Sequence, residues 1–218
     1  MHKRQHYPHR QGGFTLVEIA IVLVIIGLLL GGVLKGQELI NSAKVKSLAN
    51  DFRNVPLFIY GYQDKYKRLP GDDSGATTRF GAAANTLDGD GKGSIGGTWD
   101  STTLTDESVR FWQHLRLANL AAGSTDFSTA AKASLPTNAE GGKVGIQMSL
   151  PIKGMSGTYY VCSQSIPYKL AEQLDVTLDD GNGTTGNMRA QAGDATNAAN
   201  DGVAYTSANA TYTVCMAF

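Results

Sequence analysis

Several residue groups in this chain have types and spacings that could do chemistry. Asp88-Gly89-Asp90-Gly91-Lys92-Gly93-Ser94-Ile95 opens like a calcium-binding loop, with an Asp-x-Asp start, glycine at the sixth position and an apolar residue at the eighth. In that reading Asp88, Asp90 and Ser94 supply oxygen ligands, and Glu107 closes the site from the helix that follows. Lys92 stands where a third oxygen ligand falls, and Trp99 where the closing glutamate falls. A solvated Asp/Gly turn is therefore the competing reading. Asp175, Asp179 and Asp180 lead into a second acidic turn; a metal there is one reading, and a turn built on Asn182-Gly183 is a sufficient one. The two cysteines, Cys162 and Cys215, are either one disulfide or two buried thiols, and the choice depends on the compartment.

Enzymatic chemistry finds little support. Of four histidines, His2, His6 and His9 lie in the first nine residues, leaving His114 alone in the body of the chain. His114 sits in an aromatic-rich stretch, Phe111-Trp112-Gln113-His114-Leu115, and reads as a packing residue. No P-loop, dinucleotide fingerprint, Cys-x-x-Cys or His-Glu-x-x-His pattern occurs. Charge is balanced, with 19 basic and 19 acidic residues. No dense basic patch marks a nucleic-acid surface, and no nucleic-acid partner is expected.

The strongest signal is at the N-terminus. Met1 to Gly13 carries Lys3, Arg4 and Arg10 and no acid. From Phe14 to Leu34 the only charge is Glu18, and Ile19 to Leu34 is wholly apolar or glycine. A helix of about 20 residues spans roughly 30 Å, the thickness of bilayer hydrocarbon. The basic leader would stay cytoplasmic and the body would lie outside. An ordinary signal peptide has a shorter apolar region, with its small-residue cleavage site after it. Here the small pair Gly12-Gly13 precedes the apolar run, so cleavage there would keep the membrane helix.

Gly13-Phe14-Thr15-Leu16-Val17-Glu18 closely resembles the signal of type IV prepilins and type II secretion pseudopilins. The resemblance implies cleavage after Gly13 by a prepilin peptidase and N-methylation of Phe14. It implies that Glu18 pairs with the N-terminal ammonium of a neighbouring subunit, which sets axial register; a Glu18 hydrated near the interface is the plainer alternative. It implies partners: the peptidase, other pilin or pseudopilin subunits, and the inner membrane. Localisation would be single-pass in the bacterial inner membrane with the head outside the cytoplasm, then a periplasmic or extracellular filament. In an exported protein the cysteine pair reads as a disulfide. Some pseudopilins bind calcium in acidic loops, which favours the calcium reading. Pro70–Asp73, the Phe111–Leu115 stretch and Leu178-Asp179-Asp180-Gly181 bear a softer resemblance to prepilin-type heads. A filament subunit is the first functional reading. A membrane-anchored, non-polymerising binding protein, calcium-binding or adhesin-like, is the alternative.

These residues need elements to hold them. Leu48, Phe52, Val55, Ile59, Tyr62 and Tyr66 recur at spacings of three and four, an amphipathic stripe that predicts one helix from Phe14 to about Lys67, kinked near Pro56 and stopped by Leu69-Pro70-Gly71-Asp72-Asp73. Gly27, Gly31, Gly32 and Gly36 have GxxxG spacings that permit close helix approach, or are merely tolerated. Beyond lie a Gly/Asp/Thr-rich loop over 71–99, a helix over 106–120 and a strand over 144–150. A strand over 158–163, a helix over 168–174, a loop over 179–209 and a strand over 212–217 complete the reading. The organisation is a leader (1–13), a membrane or filament-core helix (14–34), its amphipathic continuation (35–68) and a head (69–218). The fold class is α+β, a pilin fold with the long helix packed on a small antiparallel sheet.

Overall fold

The computed structural model describes Gly13, residues 15–82 and residues 85–218. Two compact units divide at Ser42/Ala43. Helix α1 spans Leu16–Tyr66, 51 residues. The apolar stripe carries its second part: Leu48, Phe52, Val55, Ile59 and Tyr62 are buried, with Val45 and Ala49 beside them. The helix runs through Pro56, which lacks the N–H that would reach the Phe52 carbonyl. Lys67 ends it in the left-handed region, φ 56°, its N–H on the Gln63 carbonyl.

After α1 come α2 (Ala76–Phe80), α3 (Glu107–Leu117), β1 (Val144–Gln147), β2 (Tyr160–Pro167), α4 (Tyr168–Leu178), β3 (Met188–Ala192) and β4 (Thr211–Ala217). The strands form one antiparallel sheet in the order β1-β2-β4-β3. This is the α+β, pilin-like arrangement of a long N-terminal helix and a small sheet. Alternation sends Val161, Tyr212 and Val214 into the core with α1, and sends Tyr160, Cys162, Cys215 and Ala217 into a second cluster with Trp99. Strand β2 needs an irregularity to serve the core twice. Its register shifts between Ser163 and Ile166, and Ser165 adopts φ 60°. The shift changes the parity of the strand, so Ile166 joins Val161 on the α1 side.

The structure departs from the sequence reading in several places: the predicted loop over 71–99 contains α2, and the strand predicted over 158–163 begins at Tyr160 and, past its irregularity, runs on to Pro167. The predicted loop over 179–209 contains β3, whose Met-Arg-Ala-Gln-Ala sequence has no β-branched residue and becomes a strand by pairing with the free edge of β4. Strand β1 stops at Gln147, with Ser149 and Leu150 exposed, and both of its faces are buried. The Trp99 backbone covers the second face: its N–H donates to Gln147 Oε1 at 2.9 Å, and its carbonyl stands where a Cβ on Gly145 would sit. Helix α3 ends at Leu117, because Asn119 turns left-handed (φ 57°) before Gly123 is reached. Helix α4 extends to Leu178, carrying Asp175 into the core under Tyr205.

Cys162 and Cys215 face each other across β2 and β4 and are joined in a disulfide, with Cα atoms 4.1 Å apart and a sequence separation of 53. Closing a loop of that size stabilises by roughly 4 kcal/mol in the chain-entropy model. The Cys162→Ser/Cys215→Ser double variant is expected to lose about that much in a denaturant titration of the oxidised protein, and a loss under about 1 kcal/mol would mean the sheet alone holds this register.

Candidate functional site

At the head of α1, Thr15 and Glu18 form a reciprocal cap. The Thr15 N–H and Oγ1–H both donate to Glu18 Oε2 at 2.7 Å, and the Glu18 N–H donates to Thr15 Oγ1 at 3.3 Å. Spacing Thr-x-x-Glu is the capping-box pattern, which satisfies two donors at a helix start. The same spacing was visible in the sequence as a signal for this role. Gly13 is exposed; the leader residues and Phe14 lie outside the described residues.

From Leu16 onward the apolar side chains of this part of α1 stay outside any core: Leu16, Leu23, Leu28 and Leu34 are all more than half exposed. An 18-residue window of α1 reaches mean hydropathy 2.8 with none of it buried, long and apolar enough to cross a membrane. A Cβ added at Gly27, Gly31, Gly32 or Gly36 would meet open space. Packing among the described residues therefore gives these glycines no purpose, whereas close approach of a second helix would.

The predicted calcium ligands are brought together only in part. Asp90 and Glu107 do converge, but with Asp72 rather than with Asp88 and Ser94; one carboxylate oxygen from each of the three lies within 4.8 Å of the others. Asp88 is turned away to accept the Thr77 N–H at 2.7 Å, and Ser94 is exposed. Sequence reasoning assigned Asp72 to a helix stop. The trio already has work to do. Asp72 accepts the N–H groups of Lys92 (2.9 Å) and Gly93 (2.8 Å), and Glu107 those of Asp90 (2.9 Å) and Gly96 (2.8 Å). Lys92 Nζ donates to Asp90 Oδ2 at 2.7 Å and holds that carboxyl below the usual carboxylate range. The carboxylates fold the 88–97 loop over the start of α3, and one oxygen from each could also face a cation.

The second acidic turn is likewise occupied: Asp175 accepts from Tyr205 Oη and the Gly181 N–H, Asp179 from the Met188 N–H, and Asp180 from Asn182 and Thr185. His114 is fully buried on α3. Its Nδ1 accepts the Gly71 N–H at 2.9 Å, so Nε2 carries the proton and donates to the Leu87 carbonyl at 2.7 Å. Burial lowers its pKa and keeps the ring neutral. Both nitrogens are used in joining α3 to the loop after α1, which fits the packing role read from the sequence.

The prokaryotic N-terminal methylation motif, the type IV prepilin-like signal, matches residues 8–34. No curated protein and no solved structure matches the chain. The motif supports a pilin- or pseudopilin-like protein, and signals of this kind belong to structural proteins. With the apolar helix it is consistent with membrane anchoring.

Proposed function

We propose that this chain is a structural subunit of a type IV pilus-like filament or a type II secretion pseudopilus. The prepilin peptidase cuts after Gly13 and methylates Phe14. The processed chain, beginning at Phe14, is held in the inner membrane by the first part of α1 with its head outside the cytoplasm. It then polymerises with other pilin or pseudopilin subunits through that helix. The observation that carries this reading is an exposed apolar helix whose only charge before Lys35 is Glu18, lying within the segment that matches the methylation motif. A carboxylate in hydrocarbon is costly and calls for a partner, and a methylated N-terminal amine keeps the positive charge that would supply one.

The test is fractionation of sheared filaments from the native host. The chain is expected in that fraction when the prepilin peptidase is present and only in the membrane fraction when it is deleted. Equal recovery from filaments of both strains would contradict the proposal.

A further inference from the structure

The way His114 is bonded gives it a second role beside packing. The Gly71 N–H reaches its Nδ1 at 2.9 Å, and its Nε2 lies 2.7 Å from the Leu87 carbonyl oxygen. A backbone N–H only donates and a carbonyl only accepts, so these two partners hold the ring in one neutral tautomer, with Nδ1 bare. Proton uptake adds an N–H at Nδ1 and sets two donors face to face. The Leu87 bond survives, because Nε2 donates in both states. Protonation therefore acts on one contact, the bond to Gly71.

That contact is singly made. Among the described residues it is the one hydrogen bond between residues 69–73 and α3. Gly71 is pressed onto that helix: its φ is 90°, and a Cβ there would stand 2.6 Å from the Glu107 carbonyl oxygen. The segment in turn supports the carboxylate loop. The Gly89 and Gly91 N–H groups donate to the Asp73 and Asp72 carbonyls at 3.0 and 3.1 Å, and the Asp72 carboxylate accepts from Lys92 and Gly93. On its other side the loop keeps its own ties to α3, through Glu107 and through Arg110, which donates to the Asp88 carbonyl at 2.6 Å.

Burial is the largest influence on the His114 ring and disfavours its charged form. The Leu87 carbonyl and the carboxylates of Asp73 and Asp88 pull the other way, and Arg110 on α3 itself opposes the charge. Tyr62 of α1 stacks on the ring with centroids 6.1 Å apart. Neither carboxylate is free to pair with an imidazolium: Asp73 is held by Tyr62, Gly75 and Arg79, and Asp88 by Thr77. The net effect is a pKa below the ordinary value. Stability from the neutral ring is therefore present in full above the unfolded value of about 6.5 and is lost as pH falls toward the lowered folded one.

We propose that the Gly71–His114 bond is an acid-labile latch: a proton taken from solvent at Nδ1 frees residues 70–73 from α3 and loosens the carboxylate loop they support, while the sheet stays folded.

The experiment is an NMR titration of the full-length, isotope-labelled protein in detergent, from about pH 8 to about pH 4.5, across the ordinary histidine range. It follows the His114 ring nitrogens and the Gly71 amide, with the Val161 and Val214 amides of the sheet as reference. His114→Gln identifies the His114 signals, since His2, His6 and His9 also titrate. At the alkaline end Nε2 should carry the proton and Nδ1 none. On acidification His114 protonation and the Gly71 shift should share one midpoint below about 6.5, the released fraction rising about tenfold per pH unit above that midpoint. Val161 and Val214 should hold their positions. Glutamine offers an acceptor and a donor but does not titrate, so the Gly71 transition should be missing from His114→Gln. The wild-type titration decides even if that variant fails to fold. Three results would overturn the latch: His114 protonation that leaves Gly71 unmoved, a Gly71 shift only together with Val161 and Val214, or no protonation of His114 over the whole range.

Discussion

Glu18→Ala chains are expected to reach the membrane and to be cleaved, but to be missing from filaments. The residues at the cleavage site, Gly13 and Phe14, are unchanged, so processing should survive. Assembly should not. Removing one partner of a desolvated ion pair costs about 3 kcal/mol or more, roughly a hundredfold in subunit affinity at each contact. The reciprocal cap gives a way to separate two roles of the same carboxylate. Glu18 Oε2 accepts from both the N–H and the Oγ1–H of Thr15, and a glutamine at this position can serve a capping box equally well. Glu18→Gln therefore preserves the helix start while removing the charge. It is expected to fail in assembly like the alanine variant. Normal incorporation of Glu18→Gln would mean that Glu18 acts through the cap and not through an inter-subunit charge pair.

Asp73→Ala is expected to destabilise the head by roughly 3 kcal/mol, the lower end of the range for breaking a buried ion pair. Asp73 is wholly buried where α1 hands the chain to the head. Tyr62 Oη donates to it at 2.7 Å, the Gly75 N–H at 2.9 Å, and the Arg79 guanidinium pairs with it. Arg79 also lies 4.7 Å over the Tyr66 ring, and its side chain retains 28% exposure, so water can compensate it in part. The Tyr62 hydroxyl is fully buried and would lose this partner. Burial alone would raise the Asp73 pKa; the bonds from Tyr62, Gly75 and Arg79 outweigh it and hold the carboxyl below its ordinary value. A depressed folded-state pKa contributes stability that is present in full above the unfolded value of about 3.9 and is lost as pH falls through the folded one. Denaturant midpoints of wild type and Asp73→Ala should differ at neutral pH and converge on acidification below about pH 4. A constant gap across that range would assign the effect to packing rather than charge.

Much of this architecture was legible because the signals were long or specific. The run from Phe14 to Leu34 has one charge, and the stripe from Leu48 to Tyr66 keeps one period over five turns; both survive in α1 within two residues at either end. On α3, Phe111, Trp112 and Leu115 are buried, but so are Gln113, His114 and Arg116, so this helix is covered around its whole circumference and not along one stripe. Where the reading fell short, partners distant in sequence decided. Strand β3 exists because β4 offers an edge, which Met188–Ala192 does not announce by itself. The second face of β1 is buried by a loop more than 40 residues earlier, through Trp99. At the acidic loop the spacing of Asp88, Asp90 and Ser94 suggested ligands along one segment. The fold instead recruits Asp72, from the end of α1, against Asp90 and Glu107. The reciprocal Thr15–Glu18 cap is legible in the sequence, since Thr-x-x-Glu is a helix-start pattern.

The most direct test of the filament-subunit reading is the intact mass and N-terminal peptide of the protein taken from its native membrane or from sheared filaments. The account predicts a chain that begins at N-methylated Phe14. A chain still beginning at Met1, in cells with an active prepilin peptidase, would make it an uncleaved membrane anchor and contradict the filament reading.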